Sequence, residues 1–352
     1  MNLAGERDPL PGWAAQVVRW QARHGRNHLP WQVTPDPYRV WLSEVMLQQT
    51  QVATVLDYYA RFLQRFPDVH TLAAAGIDDV LALWSGLGYY SRARNLHACA
   101  VEVVHRHGGV FPRSAAGLQS LPGIGRSTAA AIASICFGER VAILDGNVRR
   151  VLARALGFGA DLAVAANERA LWEHATALLP QRDLARAMPR YTQGVMDLGA
   201  TVCLLRQPAC DACPVAGLCV AREQGRVQDY PVRTRKLKRT AQSLWLLWAH
   251  TRDGAVWLRQ RPTPGVWAGL YSLELFDSEA DLVAAVPPDH RASVHALPAF
   301  KHVLTHKDLH LHPVRVQLPA RTRLAPGGAW HPAAQWPGLG LPAPVRKLLV
   351  QG

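Results

Sequence analysis

No run of apolar residues in the chain approaches the roughly 20 that a membrane-crossing helix requires, which sets membrane-spanning proteins aside. The opening segment, Met1-Asn2-Leu3-Ala4-Gly5-Glu6-Arg7-Asp8, has no basic stretch leading into an apolar one, so no secretion signal is expected. A reducing cytoplasm is the expected compartment. Acids are scarce: 26 Asp and Glu stand against 39 Lys and Arg, a formal net charge of +13. Such an excess draws polyanions, and displacing counterions from nucleic-acid phosphates is its commonest use. Plain solubility, or a GC-rich genome favouring Arg, is the bland alternative, and charge taken alone does not decide. Charged residues amount to 18% and hydrophobic ones to 49%, which excludes a disordered chain. No internal repeat or low-complexity tract interrupts the 352 residues, a length that accommodates two cores.

Cysteine is also rare, but it is not scattered. Of the six, Cys203, Cys210, Cys213 and Cys219 fall within seventeen residues, leaving only Cys99 and Cys136 elsewhere. Four thiolates that can converge on one point suit a metal or an iron–sulfur cluster. A zinc ribbon offers two separated Cys-x-x-Cys knuckles. Here a single knuckle is flanked by two outlying cysteines, which suits a cubane cluster wrapped by one short loop. A pair of disulfides is the alternative, and it fits poorly in a chain without a secretion signal.

The first 225 residues read as helices. Asp36-Pro37 opens a helical stretch that Pro67 stops after Phe66, and further periods occur at Asp78–Leu83, Arg92–His107, Ser127–Phe137, Val148–Leu156 and Asn167–Leu179. Gly86-Leu87-Gly88 and Leu121-Pro122-Gly123 mark turns. From Arg226 to Thr240 the chain is basic, with Arg233, Arg235, Lys236, Lys238 and Arg239, and reads as a linker with a solvated tether as the default. Beyond it the pattern changes to strands at Ser243–Ala249, Ala255–Gln260, Leu270–Phe276, Phe300–Leu304 and Leu309–Val316, with a hairpin signal at Asp253-Gly254. Short helices are expected near Ser278 and at Pro344–Leu349.

Leu121-Pro122-Gly123-Ile124-Gly125-Arg126-Ser127-Thr128-Ala129 is a turn running into an Ala-rich helix. Gly123 and Gly125 let the backbone approach a ligand, and the helix start offers unpaired N–H groups, an arrangement that suits phosphate. Gly-x-Gly before a helix is equally often a tight loop and nothing more. Together with the cysteine loop, however, the segment resembles the helix-hairpin-helix of the endonuclease III superfamily of DNA glycosylases, and the cysteine spacing resembles that superfamily's 4Fe-4S loop. Trp41-Leu42-Ser43-Glu44-Val45-Met46-Leu47-Gln48-Gln49-Thr50, Gly86-Leu87-Gly88-Tyr89-Tyr90 and Leu144-Asp145-Gly146-Asn147-Val148 resemble its adenine-excising branch. The resemblance covers nearly the whole chain, with the motifs in the same order.

That resemblance implies a role for each of several residues. Glu44 corresponds to the acid that protonates adenine and then helps to deliver water, although a lone helical Glu read blind is usually a solvated surface residue. Asp145 corresponds to the stabiliser of the sugar cation and Asn147 to a polar partner in the same pocket, although either could simply cap the following helix. Lyases of the superfamily carry a Schiff-base lysine where this chain has Ser127, which cannot form one, so a monofunctional enzyme is implied. Some adenine glycosylases carry a tyrosine there. Gln49, Thr50, Leu87 and Tyr89 match positions that wedge into DNA while the base is flipped out, with core packing the plain alternative for Leu87 and Tyr89. Trp31 and Gln32 correspond to positions near the pocket.

The C-terminal part resembles a Nudix-like domain that lacks the dense acidic helix of a working hydrolase, the stretch following Trp267-Ala268-Gly269-Leu270 offering Glu274, Asp277, Glu279 and Asp281 without such a cluster. In the family, a Phe-Ser-His loop of this domain contacts 8-oxoguanine. Leu304, Thr305 and His306 occupy the aligned positions, with leucine in place of the ring. His310 and His312 lie one residue apart on a strand and read as surface residues rather than metal ligands. The expected fold is a mainly α helix-hairpin-helix glycosylase domain with an iron–sulfur cluster loop (1–225), a basic linker (226–240) and a smaller α+β Nudix-like C-terminal domain (241–352). The expected cofactor is a 4Fe-4S cluster. The expected partner is double-stranded DNA containing adenine opposite 8-oxoguanine or guanine, met by a monomer associated with the nucleoid.

Overall fold

The structure, a computed structural model, describes residues 10–234 and 238–351. Met1–Asp8, and Arg235 and Lys236 of the basic stretch, lie outside the described residues. Helices α1 (Trp13–His24), α2 (Pro37–Leu47), α3 (Val52–Arg65), α4 (Val69–Ala73), α5 (Ile77–Trp84), α6 (Ser91–His107), α7 (Ala115–Gln119), α8 (Arg126–Phe137), α9 (Gly146–Leu156), α10 (Ala165–Ala177), α11 (Leu184–Thr201) and α12 (Val220–Glu223) occupy the first two thirds. The chain forms two compact units. One comprises Met1–Val55, Asp68–Ala73 and Ala98–Lys236, the other Leu56–Pro67, Ala74–His97 and Leu237–Gly352.

In the first unit, Asp36 caps α2 by accepting the N–H of Tyr38 at 2.9 Å, and Pro37 occupies the first turn, where its missing N–H costs nothing. The helix does not run on to Phe66, as the sequence pattern suggests. It stops at Leu47, Gln49 takes φ 57°, the Thr50 N–H closes a turn onto the Leu47 carbonyl at 3.2 Å, and α3 starts at Val52. Gln48, Gln49, Thr50 and Gln51 present no apolar face whose burial would hold a helix through them. Trp13 and Trp41 are fully buried in this unit, and the Trp13 indole N–H donates to the Tyr191 hydroxyl at 3.1 Å.

Helix α11 forms despite Pro189, Gly194 and Gly199. Its glycines are contact surfaces: a Cβ on Gly194 would lie 2.9 Å from Cγ1 of Val17 on α1, and one on Gly199 2.7 Å from the Asn147 Cβ at the start of α9. The basic stretch is not a free tether over Arg226–Thr234. Tyr230 is buried, the Leu162 N–H donates to the Val232 carbonyl at 3.1 Å, and Thr234 bonds to Asp161 through both its N–H and its hydroxyl.

The second unit is built on a mixed sheet of β1 (Thr240–His250), β2 (Val256–Gln260), β3 (Tyr271–Ser272), β4 (Glu274–Phe276), β5 (His295–Ala296), β6 (Phe300–Val303), β7 (Lys307–Gln317) and β8 (Gly328–His331). Asp253-Gly254 turns β1 back on β2 as an antiparallel hairpin, with Gly254 at φ 83°. The central pairing is parallel: β1 and β7 run side by side from Thr240↔Lys307 to His250↔Gln317. Helix α13 (Glu279–Ala285), capped by Ser278, packs Leu282 onto Leu247, Trp257, Val314 and Val316. Helix α14 (Ala343–Gln351) ends the described chain.

The contact at Gly199 generates a prediction. Gly199→Val should cost about 2 kcal/mol or more, because the new methyls meet Asn147 and α9 cannot retreat. Urea denaturation checks this; a midpoint equal to wild type would mean that α9 and α11 have slack.

Candidate active site

Glu44 lies on α2 among Trp41, Val45 and Met46, all buried. Removed from water and faced by Asp145, its carboxyl is pushed up from an ordinary 4.5 to about 7. Part of the residue remains accessible, but the acid group itself lies deep among protein atoms. Asp145 is the N-cap of α9, its Oδ1 accepting the Val148 N–H at 2.7 Å. Burial raises this carboxyl as well, but the N–H groups of Val148 and Asn147 and the charges of Arg150 and Arg149 favour its ionised form. Among the described residues, burial and the Asp145 charge both act against the Glu44 anion. The environments differ, since burial raises both carboxyls but Asp145 alone has N–H groups and arginine charges that oppose the rise.

The hairpin turn ahead of α8 positions this pair. Gly123 takes φ 73°, a region closed to most side chains, and a Cβ on Gly125 would meet nothing within 4 Å, so the start of α8 faces open space. Arg126 is held over the Trp172 ring at 3.9 Å. The Ser127 hydroxyl accepts the N–H of Leu144 at 3.1 Å, which ties α8 to the residue before Asp145. Gln48 reaches the Thr128 hydroxyl at 3.4 Å, while Gln49 beside it is exposed and Thr50 half-buried in the break between α2 and α3.

From Asp145 a polar stripe follows α9. Arg150 donates to the Asn147 Oδ1 at 2.9 Å, to the Gly199 carbonyl at 2.7 Å and to the Cys203 carbonyl at 2.9 Å. Arg154, one turn on and buried, donates to the carbonyls of Leu204, Leu205 and Tyr230 at 2.6, 3.2 and 3.2 Å and approaches the Cys203 Sγ at 3.4 Å. These bonds set the entry to the cysteine loop. Cys203, Cys210, Cys213 and Cys219 are free thiols lining one cavity with Val151, Arg154 and Val215. Among the described residues, no three His, Cys, Asp or Glu side chains close on a point tightly enough for a single metal ion. Four sulfurs spread around a shared cavity, beside a buried arginine that would offset their negative charge, fit a larger multi-metal group. Cys99 and Cys136 lie outside the loop, and burial lifts both thiols to about 12.

Sequence reasoning does not single out Asp197, which is wholly buried and accepts Arg26 Nε at 2.6 Å, the Arg26 N–H at 2.9 Å and Gln32 Nε2 at 3.3 Å. Gln32, Cys136 and Gln193 border a cleft of about 400 Å³, and Cys136 lies near enough to feel the Glu44 charge. The Gln32 Oε1 is buried without a partner. Trp31 is buried.

In the second unit, the turn Gly86–Tyr89 departs from simple expectation. Leu87 is buried, whereas Tyr89 is 41% exposed at φ 49°. A Cβ on Gly86 would lie 2.3 Å from the Tyr58 hydroxyl, so only glycine fits there. Arg92, which no motif marks, donates to the carbonyls of Leu87 and Gly88 at 3.3 and 3.2 Å and lies over the Tyr89 ring at 5.3 Å. Within the same unit the Tyr89 hydroxyl meets the Thr305 hydroxyl. Leu304 is half-buried, and Thr305 and His306 are exposed in the turn between β6 and β7. Glu274 is occupied by Trp257 at 3.3 Å and Arg259 at 2.8 Å, and His312 stacks on Trp245 at 4.5 Å.

Two buried carboxyls, Glu44 and Asp145, behind the turn into α8 are what the resemblance to the endonuclease III superfamily leads one to expect. Comparison with known proteins agrees. Residues 42–175 match the HhH-GPD superfamily of base excision DNA repair proteins, and residues 245–351 match a NUDIX domain. A structure described as a thermostable thymine-DNA glycosylase superposes with a TM-score of 0.54 at 29% identity, over 60% of this chain and 95% of that one. The adenine DNA glycosylase of Buchnera aphidicola subsp. Acyrthosiphon pisum is 32% identical over 339 residues, 95% of each chain. That of Rattus norvegicus is 46% identical over 242 residues, 65% of this chain and 46% of the relative. The chain belongs to the adenine DNA glycosylase (MutY) family.

The state of Glu44 is testable through stability. Below pH 4.5 the group is protonated both folded and unfolded; between 4.5 and about 7 only the unfolded chain ionises, so folding is progressively penalised. Glu44→Gln removes that penalty and should gain about 3 kcal/mol on wild type between pH 4.5 and pH 8. Urea titrations at both pH values measure it, and a constant difference would show that Glu44 titrates like an exposed acid.

Proposed function

We propose that the protein removes adenine mispaired with 8-oxoguanine, or with guanine, from duplex DNA by hydrolysing the N-glycosidic bond. The observation that carries this is the buried Glu44 carboxyl, pushed up to about 7, facing Asp145 at the N-cap of α9. Glu44 would donate to the adenine ring at N7, so that the base departs as a neutral species. The electron pair of the C1′–N9 bond leaves with the base, and the Asp145 carboxylate stabilises the cationic sugar that remains. Glu44, now ionised, would then accept a proton from the water that adds to C1′. Asn147, held by Arg150, would keep its polar side chain at the edge of the same pocket.

Adenine in a stacked duplex is out of reach, so it must be extruded at a cost of a few kcal/mol. The cleft bordered by Gln32 and Gln193 is the candidate receptor, and the unpartnered Gln32 Oε1 suits an exocyclic amino group. Gln49, Thr50 and Tyr89 would fill the space left in the duplex, with Leu87 joining them only if the turn opens. Gly123, Gly125 and the first N–H groups of α8 would hold a phosphate, fixing register without reading sequence. Ser127 offers no amine for a Schiff base and serves instead to hold the chain at Leu144. Leu304, Thr305 and His306 would contact the opposite base. Cys203, Cys210, Cys213 and Cys219 would hold a 4Fe-4S cluster, which when bound would keep the 203–219 loop closed as a DNA-facing element.

Single-turnover excision on duplexes pairing adenine with 8-oxoguanine, guanine or thymine, followed by alkali, tests the reading. Rapid adenine loss opposite 8-oxoguanine with breaks appearing after alkali is expected, and tight binding with no excision would overturn it. Excision should decline as pH rises through about 7, because the proton on Glu44 is lost there. Glu44→Gln should retain DNA binding and lose at least about a thousandfold in rate; a wild-type rate would remove Glu44 from the mechanism. Cys210→Ser should lower iron content and DNA affinity together, and unchanged iron would strike it from the ligands.

A further inference from the structure

The turn that carries Leu304, Thr305 and His306 is held by an unexpected partner. The Leu304 N–H closes it onto the Lys307 carbonyl at 2.8 Å, and the Thr240 N–H donates to the His306 carbonyl at 3.1 Å. The two remaining carbonyls go to one guanidinium. Arg239 donates through Nη1 to Thr305 at 3.1 Å and through Nη2 to Leu304 at 3.0 Å, and the same Nη2 pairs with the Asp308 carboxylate. Lys301 holds the other oxygen of Asp308 at 2.6 Å. Every carbonyl from Leu304 to His306 thus accepts a bond from residue 239 or 240, and the peptide planes of the turn are fixed by the start of β1. Thr305 and His306 are left exposed, and the Thr305 hydroxyl meets Tyr89.

We propose that Arg239 is a positioning residue that holds the 304–307 turn in its reading form and thereby sets discrimination between 8-oxoguanine and guanine. The proposal rests on the reading of that turn given above. The two bases differ at the C8 oxygen and the N7 proton, so the choice depends on a few hydrogen bonds whose geometry must be fixed before contact. A hairpin tip with little buried side-chain surface does not fix itself. A planar fork that engages two successive carbonyls and a carboxylate does so, and a lysine ammonium cannot reproduce that geometry. Arg239 and Asp308 are 43% and 21% exposed, so their pair adds little to global stability. An effect on selectivity would therefore be separable from unfolding. Its donors face the turn, which also separates it from a cation meant for the DNA backbone.

The test is single-turnover adenine excision opposite 8-oxoguanine and opposite guanine, for wild type, Arg239→Gln, Arg239→Lys and Thr305→Ala, with melting temperatures for each. Arg239→Gln should lower the ratio of the two rates about tenfold, reducing the 8-oxoguanine rate far more than the guanine rate, at nearly constant melting temperature. Arg239→Lys should fail to restore the ratio, and Thr305→Ala should lower it as well. Equal losses on both duplexes, or full rescue by lysine, would overturn the proposal in favour of a backbone contact or simple charge. A ratio moved by Thr305→Ala but not by Arg239→Gln would sink the role of Arg239 alone. A ratio moved by neither would remove the reading of the turn itself, and the proposal with it.

Discussion

A carboxyl keeps its proton toward neutrality only when it is held away from water, and this one desolvation, at Glu44, depends on the packing of the first unit. The acid sits on a helix whose neighbouring residues are buried core, so it cannot turn away to solvent without α2 unpacking. Asp145 sits differently, at a cap, where the free N–H groups of a helix start oppose the effect of burial, although its carboxyl too is raised on balance. Two acids of ordinary strength acquire different surroundings from their places on two helices.

Helix α9 carries this arrangement further than a cap requires. Asn147, Arg150 and Arg154 recur three and four residues apart, which places them along one side of the helix. Apart from the Arg150–Asn147 bond within α9 and the Arg154–Tyr230 bond, those they make reach α11 or the chain just beyond it: Gly199, Cys203, Leu204 and Leu205. Buried arginines are costly unless their donors are satisfied, and here backbone carbonyls satisfy them. The start of the cysteine loop is therefore shaped by protein hydrogen bonds.

Local chemistry was legible in the sequence, and long-range partnership was not. Asp36-Pro37 announced the start of α2 because cap and N1 proline act within a few residues, and Asp253-Gly254 announced its hairpin for the same reason. The break at Gln49 was hidden, since a left-handed residue that is not glycine leaves no mark in the pattern. Helix α11 was hidden by its own glycines and proline, which read as breakers until Val17 and Asn147 are seen against them. The parallel pairing of β1 with β7 joins segments more than fifty residues apart, and periodicity gives no register across that distance. Within the candidate site, Glu44, Asp145 and the four cysteines are singled out by local motifs. Asp197 with Arg26, Arg92 under its turn and Arg239 on the 304–307 turn answer to partners far along the chain, so no spacing rule points to them.

The two cysteines outside the loop have a consequence for chemical endurance. Sulfur is oxidised through its thiolate, and a thiol held at about 12 is ionised in only about one molecule per hundred thousand at pH 7. Peroxide and related species attack guanine readily, and a protein at work where they are abundant is exposed to them in turn. Cys99 and Cys136 offer these reagents almost nothing to attack. Sulfenylation, glutathione adducts and stray disulfides should therefore be slow at both positions.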